Sequence, residues 1–365
     1  MMGAFAVKAQ AQPATKAHIV GPSNICLNSF ASFNVGDSTN ATQVKSHQWN
    51  FPSGVTFLYG NTTSPYVTVK FASQYTGNIF DTIKYTVNGK SGTTILSYSI
   101  NVTACPQTDC QGNKATQPFL LETFDSLTNN SARDSLHYPA ITTYQYLPSG
   151  SINDGQYIVS SNPQNGRPEW VNTSDHTGNP YGGMMIVNAS YQPDTFYRRT
   201  INNLCAGMQY SFSAWLLNAD GAKVLDTICS GKNIFPNLSF VVLNAKNDSL
   251  LGQAKTLDVS MNLSGPAWQR YGFGFKTPVG VDSVKLIMYN IAPGGCGNDL
   301  AIDDIQFTYC GPTLLATTGS GSTTGDTICA GTPDTLRSSI TANYFINPQY
   351  QWQTSTDSVN WTNIT

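Results

Sequence analysis

The scarcity of charged, helix-forming side chains is the strongest constraint on how this chain folds. Only 11 % of its 365 residues are charged, and just two of the 21 acidic residues are glutamate, Glu122 and Glu169. Ser, Thr and Asn together account for 106 residues, and their side chains compete with the helix backbone for hydrogen bonds. Aromatic residues reach 11 %, which is enough for sizeable cores and typical of strands. The composition therefore predicts an all-β fold.

The charge balance and the hydropathy pattern exclude two classes of partner. The net charge is -2 and no basic patch is visible, which excludes nucleic acid. No stretch approaches the roughly 20 apolar residues that cross a bilayer, so we expect no membrane insertion. Residues 1–16 contain the small residues Ala9 and Ala11 and look like the end of a secretory signal peptide, with an ordinary disordered start as the alternative. We expect a secreted or cell-surface protein.

The eight cysteines are widely spaced, at Cys26, Cys105, Cys110, Cys205, Cys229, Cys296, Cys310 and Cys329. None forms a C-x-x-C pair, which excludes the usual zinc and thioredoxin-like patterns. Wide spacing in an exported chain favours disulfides, although the pairing stays open at the level of sequence. We expect Cys110 to pair with Cys310 across the ends of the middle unit. Cys205 and Cys229 are expected to pair with each other or with Cys296.

Residues 17–104 carry short strand-like runs separated by turns, which predicts an immunoglobulin-like sandwich with Trp49 in its core. Ile83 and Tyr85 alternate with polar residues, and Asn88-Gly89 predicts a hairpin turn. The pattern from Cys26 through His47-Gln-Trp49 to Asn88-Gly89 resembles the PKD-like repeats of Bacteroidetes surface proteins.

Residues 110–312 form a second unit, which is too long for one immunoglobulin sandwich and suits a jelly-roll β-sandwich. Its clearest motifs are Asp175-His-Thr-Gly178 and Asn298-Asp-Leu-Ala-Ile-Asp-Asp304, the latter closely followed by Cys310. These motifs resemble a MAM domain or a galactose-binding-like carbohydrate-binding module. The whole string is similar to a module common in large secreted Bacteroidetes proteins.

A Gly/Ser/Thr-rich segment, residues 313–325, predicts a flexible linker. Residues 326–365 repeat features of the first unit, because Tyr350-Gln-Trp352 echoes His47-Gln-Trp49. We interpret them as part of a second immunoglobulin-like repeat. About half a sandwich is present, so we expect the polypeptide to continue beyond Thr365 into further domains.

The sequence contains no recognisable catalytic motif. It has four histidines and two glutamates, and it has no G-x-S-x-G elbow, H-E-x-x-H helix or glycine-rich phosphate loop. Asp303 and Asp304 are adjacent, and neighbouring side chains on a strand point to opposite faces. They are therefore not expected to converge on one glycosidic bond, and we predict that this segment is not an enzyme.

The resemblance to jelly-roll modules implies a structural calcium ion. In those modules an acidic residue on the first strand and an aspartate on the last strand hold Ca²⁺, and the matching positions are Glu122 and the pair Asp303 and Asp304. Ile305 alternates inward, which would place Asp303 on the same inward face and require a partner for its charge. Asp125, Asp154 and Asp175 are candidates for additional ligands. The alternative is that these aspartates cap turns through backbone N–H groups, and we expect His176 to be a structural hydrogen-bond donor.

Glycan binding requires aromatic platforms with polar groups around them. We predict Trp170, Tyr181 and Tyr191 as ligand-binding residues, with Trp170 the strongest candidate because it lies in a polar loop. Trp215 and Trp268 lie in alternating strands and are expected in the core.

These features predict a non-catalytic segment of an extracellular multidomain protein. In our first hypothesis the jelly roll mediates adhesion or binds a glycan or another cell-surface ligand, with the immunoglobulin-like units as spacers. The alternative is the carbohydrate-binding region of a secreted polysaccharide-degrading enzyme whose catalytic domain lies outside this segment.

Overall fold

The described part of the chain is all-β, as the composition predicts. The computed structural model describes residues 14–37, 41–105, 118–136, 142–221, 224, 234–261, 268–295, 297–311, 314–322, 327, 329, 331–340, 350–357 and 359–364. These residues form 24 strands and one short 3-10 helix, Pro163–Asn165. Within them, no helix has the length and apolar character that a membrane crossing requires.

The first β-sandwich is built from nine strands. They are β1 (His18–Val20), β2 (Asn24–Cys26), β3 (Phe30–Gly36), β4 (Thr42–Ser46), β5 (Trp49–Asn50), β6 (Val55–Tyr59), β7 (Tyr66–Phe71), β8 (Tyr75–Val87) and β9 (Lys90–Thr103). One sheet has the order β1-β3-β7-β6; the other has the order β2-β9-β8-β4, with β5 paired to β8.

Two sequence predictions for this sandwich are confirmed. Trp49 is buried in the core between the sheets, and its indole N–H donates to the carbonyl of Ser64 at 2.9 Å. Asn88 and Gly89 form the hairpin turn between β8 and β9 with φ angles of 49° and 76°. Positive φ at both positions is the signature of a type I′ turn, which Asn-Gly favours.

The second β-sandwich contains eleven strands. They are β10 (Leu120–Glu122), β11 (Gln145–Tyr146), β12 (Gln156–Ser160), β13 (Met184–Asn188), β14 (Asp194–Ile201), β15 (Gln209–Asn218), β16 (Asn237–Asn244), β17 (Leu250–Asp258), β18 (Gln269–Lys276), β19 (Val284–Asn290) and β20 (Leu300–Cys310). The larger sheet has the order β11-β12-β13-β20-β15-β18, and the smaller has the order β14-β19-β16-β17. An aromatic core that includes Phe212 and Phe307 fills the space between the two sheets.

The larger sheet has hydrophobic residues on both faces. Its inner face joins the core between the sheets, while its outer face carries a second cluster that includes Met184, Ile186 and Leu217. Trp170 and Met261, which lie outside the strands, belong to this outer cluster. Loops therefore cover the outer face of the larger sheet, and both candidate sites described below lie on that side.

Strand β20 organises the larger sheet. β15 pairs along one of its edges. On the other edge, β13 pairs with residues 300–302 and β10 pairs with residues 305–307. Asp303 and Asp304 lie opposite the gap between β13 and β10.

The C-terminal segment forms two small ladders among its described residues. Strands β21 (Leu314–Thr317) and β22 (Arg337–Ile340) pair with each other, and β23 (Gln353–Thr354) pairs with β24 (Thr362–Asn363). The predicted linker thus begins with a strand, because residues 314–317 find a hydrogen-bonding partner beyond the Gly/Ser/Thr run.

The cysteine predictions are corrected in one respect. Cys26 and Cys105 form a disulfide that joins β2 to the end of β9. Cys205 is an exposed free thiol, so its predicted pairing is wrong; it follows the end of β14 in an exposed turn. Cys310 is disulfide-bonded. Cys110, Cys229 and Cys296 all lie outside the described residues, so the pairing of Cys110 with Cys310 stays a prediction.

The two sandwiches are joined by hydrogen bonds from the first to the second. The carboxylate of Asp258, at the end of β17, accepts from the backbone N–H groups of Ser23 and Asn24 at 3.0 and 2.8 Å. Nearby, the N–H of Ser32 donates to the hydroxyl of Ser260 at 2.9 Å. Cys26 packs against the core of the second sandwich. The first sandwich is therefore held against the second through both polar and apolar contacts.

Replacing Asp258 tests this junction. Asp258→Ala leaves two backbone N–H groups without their charged acceptor, and hydrogen bonds to charged groups contribute about 1.5–3 kcal/mol. We expect the free energy of unfolding to fall by about that amount in chemical denaturation. Asp282→Ala, at an exposed carboxylate paired with Lys246, is the control and should change it much less, because surface ion pairs contribute little. If both variants lowered the free energy of unfolding equally, Asp258 would not stabilise the junction between the sandwiches.

Candidate functional site

A β-bulge in β20 controls where its acidic residues point. Ser213 of β15 pairs with Gln306 and Trp215 pairs with Asp303, so Ala214 faces two residues, Asp304 and Ile305. Asp304 has φ 41°, in the left-handed region that such an extra residue adopts in some bulges. The inserted residue shifts the alternation of inward and outward side chains along β20 by one position.

The bulge overturns the predicted orientation of Asp303. Ile302 and Ile305 both point into the core between the sheets, so Asp303 is on the outer face of the sheet rather than on the inward face with Ile305. The strict period of two that the prediction assumed fails at the inserted residue.

The bulge also brings Asp303 and Asp304 together. Their Oδ2 atoms lie 3.3 and 3.2 Å from Nδ1 of His176, and the backbone N–H of His176 donates to Asp303 Oδ2 at 3.1 Å. The expectation that neighbouring aspartates cannot converge is therefore wrong at this position. His176 acts as a hydrogen-bonding partner of the carboxylates, and its ring stacks on Trp215 with centroids 4.4 Å apart.

The segment 175–183 closes over this acidic cluster. The Asp175 carboxylate is buried and accepts from the hydroxyl of Thr177 at 2.9 Å and from the N–H of Asn179 at 2.7 Å. A Cβ at Gly182 would lie 1.9 Å from Asp175 Oδ2, and one at Gly183 would lie 2.3 Å from a backbone oxygen. Both glycines are required by close packing, and Asp175 is a turn-capping residue at the edge of the cluster.

Two other predicted ligands have different positions. Glu122 pairs with Ile305 across the β10–β20 ladder and therefore shares the inner face, where its Oε2 lies 3.2 Å from Nη1 of Arg199. The bulge thus separates Glu122 from Asp303, and the prediction that both hold one ion is wrong. Asp125 contacts the 175–183 segment through its backbone, because its carbonyl accepts from the N–H of Gly183 at 2.8 Å.

Burial disfavours the negative charges of the acidic cluster. Burial raises the pKa of the Asp303 carboxyl to about 7, and the charges of Asp304 and Asp175 add to the increase. Burial also raises the pKa of Asp304, against the opposing effect of His176. Single ligand atoms of His176, Asp303 and Asp304 lie within 4.8 Å of one another, so one metal ion can contact all three.

A pocket of about 400 Å³ lies on the same side of the sheet, near the start of β20. It brings together two of the predicted ligand-binding residues, Trp170 and Tyr191. The remaining lining residues are mostly polar or charged: Asn153, Asp154, Arg167, Glu169, Asn188, Asp220, Val224, Gly295 and Asp299.

The two aromatic residues have different roles in this pocket. Tyr191 is 66 % exposed, and its hydroxyl is hydrogen-bonded to Asp154, whose charge raises the pKa of the tyrosine. Trp170 is buried, and its indole lies beside the Asp220 carboxyl. Tyr191 is therefore the open aromatic surface, while Trp170 supports the pocket from below.

The third predicted ligand-binding residue, Tyr181, is outside this pocket. It is exposed in the turn beside Gly182, where its carbonyl accepts from the N–H of Leu127. Trp215 and Trp268, predicted in the core, lie on the outer face and are partly exposed. Trp268 packs against the outer hydrophobic cluster and donates to the carbonyl of Ser174 at 3.2 Å.

Sequence reasoning missed Asp220 and Asp299 as pocket residues. Each has an ordinary local explanation, because Asp220 precedes a glycine after β15 and Asp299 lies just before β20. Residues 218 and 300 pair across the β15–β20 ladder, which places the two aspartates side by side. No local pattern shows a contact between residues so far apart in the chain.

The chain is similar to several solved structures at low sequence identity. No protein-family model and no curated protein matches it. One similar structure is a carbohydrate-binding module from a study of promiscuous specificity in the β-sandwich superfamily (15 % identity, 82 % of this chain and 99 % of that chain, TM-score 0.26). Another is a carbohydrate-binding module that recognises mannan (12 %, 42 % and 98 %, 0.25). A third is an apo-form cyclase from Fischerella (12 %, 56 % and 96 %, 0.33).

The packing around Asp175 provides a direct test of the cluster's geometry. Gly182→Ala forces a Cβ against the Asp175 carboxylate, and we expect it to lower the free energy of unfolding by about 1–3 kcal/mol. Gly221→Ala is the matched control, because its Cβ would meet its nearest neighbour at 3.6 Å. Thermal and chemical denaturation of both variants measure the difference. A Gly182→Ala variant as stable as the control would contradict the close contact.

Proposed function

We propose that this chain is a non-catalytic, extracellular glycan-binding segment whose second sandwich takes up the sugar in the Trp170–Tyr191 pocket. The observation that carries the proposal is this pocket itself. It combines an exposed aromatic surface with several hydrogen-bonding side chains. Sugar recognition requires that combination, because the ring presents an apolar C–H face and a rim of hydroxyl groups.

The pocket's polar residues supply both donors and acceptors. Arg167 donates to Glu169 at 3.0 Å and to the carbonyl of Ile152 at 3.0 Å, which fixes both side chains at the pocket wall. Asp154 lies at the rim beside Tyr191. A sugar stacked on Tyr191 would place its hydroxyls toward these preorganised groups, which lowers the entropic cost of binding.

The arrangement of carboxyl groups favours binding over hydrolysis. A glycosidase requires two carboxyl groups on opposite sides of the scissile bond, about 5 Å or more apart. Asp220 and Asp299 are instead buried side by side, and the backbone N–H of Asp299 donates to the Asp220 carboxyl at 3.1 Å. Asp303 and Asp304 are both directed at His176.

The shape of the site favours a short glycan or a chain end. About 400 Å³ is in the range of small-ligand pockets, whereas an extended polysaccharide needs a long groove. This supports an adhesive role on cell-surface glycans over the alternative role in a polysaccharide-degrading enzyme. The Cys26–Cys105 disulfide supports an oxidising, extracellular location.

Glycan-array binding of the full chain, followed by titration calorimetry with the best ligand, tests the proposal. We expect binding to short or terminal glycans, and Tyr191→Ala should weaken it about threefold to tenfold, the effect of losing one aromatic contact worth about 0.5–1.5 kcal/mol. Tyr181→Ala is the matched control, because Tyr181 is also an exposed tyrosine and is outside the pocket. Absence of binding to any glycan, or equal losses in both variants, would refute the proposed site.

We also propose that the cluster of Asp303 and Asp304 holds a structural Ca²⁺ ion. Carboxylate oxygens are the preferred ligands of calcium, and burial raises the pKa of Asp303 because it disfavours a charge that a cation would stabilise. Asp175, whose charge acts on both Asp303 and Asp304, would contribute through its own oxygens or through water. The ion would tie the 175–183 segment to the bulge of β20.

Calcium should stabilise the second sandwich through this cluster. At a free concentration a hundred times the Kd, a site that exists only in the folded state adds about 2.7 kcal/mol. We expect chelation with EDTA to lower the Tm and Asp303→Asn to reduce that decrease, with the exposed Asp282→Asn as the control. An unchanged calcium response in Asp303→Asn would place the ion elsewhere.

A further inference from the structure

A pair of buried carboxyl groups forms the floor of the Trp170–Tyr191 pocket. Asp220 and Asp299 are each less than a tenth exposed. The N–H of Asp299 donates to Asp220 Oδ2 at 3.1 Å, and Asp299 Oδ1 accepts from the N–H of Ala189 at 3.0 Å. The paired ends of β15 and β20 therefore hold both carboxyls in fixed positions through the backbone.

Among the residues that the structure describes, one oxygen of this pair has no hydrogen-bond partner. Asp220 Oδ1 is buried and accepts no hydrogen bond from them, and Asp220 lines the pocket. A buried carboxylate oxygen without a partner is costly. The atom is therefore positioned to receive a ligand from the pocket.

The charges around the pair also point to a cationic ligand. Among the described lining residues, four are acidic, namely Asp154, Glu169, Asp220 and Asp299, and one is a cation, Arg167. The Arg167 guanidinium is already bonded to Glu169 and to the backbone. Burial and mutual repulsion raise the pKa of Asp299 well above its usual range, and burial raises that of Asp220 to about 7.

We propose that the pocket floor binds a calcium ion between Asp220 and Asp299. The described lining residues offer oxygen donors, and none of them is a histidine, cysteine or methionine, which favours a hard cation over zinc or copper. Calcium accepts six to eight oxygens in irregular geometry, whereas magnesium demands a near-ideal octahedron. Asp154, at the mouth of the pocket, adds a further carboxylate on the path of entry.

This ion is distinct from the one proposed at Asp303. Asp299 and Asp303 are four residues apart, which is roughly 13 Å along extended chain. It is also independent of glycan binding, because its ligands are protein side chains that are in place without a sugar. The three proposals can therefore fail separately.

Calcium titration of the full, chelator-treated and dialysed chain by calorimetry tests the inference. We expect the wild type to bind two equivalents of Ca²⁺ and Asp303→Asn to bind one. Asp220→Asn and Asp299→Asn should each lose the pocket equivalent, or bind it at least tenfold more weakly, while Asp282→Asn should match the wild type. Asparagine has nearly the shape of a protonated aspartic acid, so these variants should fold; circular dichroism and Tm in EDTA check this.

Terbium luminescence locates the ion independently. In the Asp303→Asn background, Tb³⁺ emission excited through tryptophan should persist, because Trp170 adjoins Asp220, and Trp170→Phe should abolish it. The inference is overturned if Asp303→Asn binds no calcium. It is equally overturned if Asp220→Asn and Asp299→Asn both bind calcium as the wild type does. Glycan binding measured in EDTA tests the proposed glycan-binding function without calcium. A failure of the calcium site can therefore be told apart from a failure of the glycan-binding proposal.

Discussion

The bulge at Asp304 is the constraint on which the acidic cluster depends. One extra residue in β20, opposite Ala214, sends Ile305 into the core and leaves Asp303 on the outer face. Without it, one of the two aspartates would enter the aromatic core, where an ionised carboxylate is very costly. The sheet therefore accommodates two adjacent acids by bringing both against His176 on its loop-covered side.

The same strand connects the cluster to the pocket. β20 begins next to Asp299 and reaches the bulge within a few residues. β15 pairs with it along its whole length. The loops that cover the outer face contribute Trp170 to one site and His176 to the other. Two chemically different sites thus share one rigid, doubly covered sheet. Such support keeps polar side chains in fixed geometry, which loops alone rarely achieve.

Local physical signals account for the part of the structure that the sequence predicts well. The type I′ turn at Asn88, the buried Trp49 and the all-β class each follow from residue preferences acting over a few positions. The bulge is not predictable in this way, because alternation read along β20 gives no sign of an inserted residue. Asp220 and Asp299 likewise meet only through strand pairing between distant parts of the chain.

The position of the Cys26–Cys105 disulfide has a mechanical consequence. The bond joins the chain near its entry into the first sandwich to its exit toward the second. Tension applied along the polypeptide passes through this covalent link and bypasses the loop of residues between the two cysteines. The strands within that loop carry no tension. The first sandwich therefore does not lengthen by unfolding when the polypeptide is stretched.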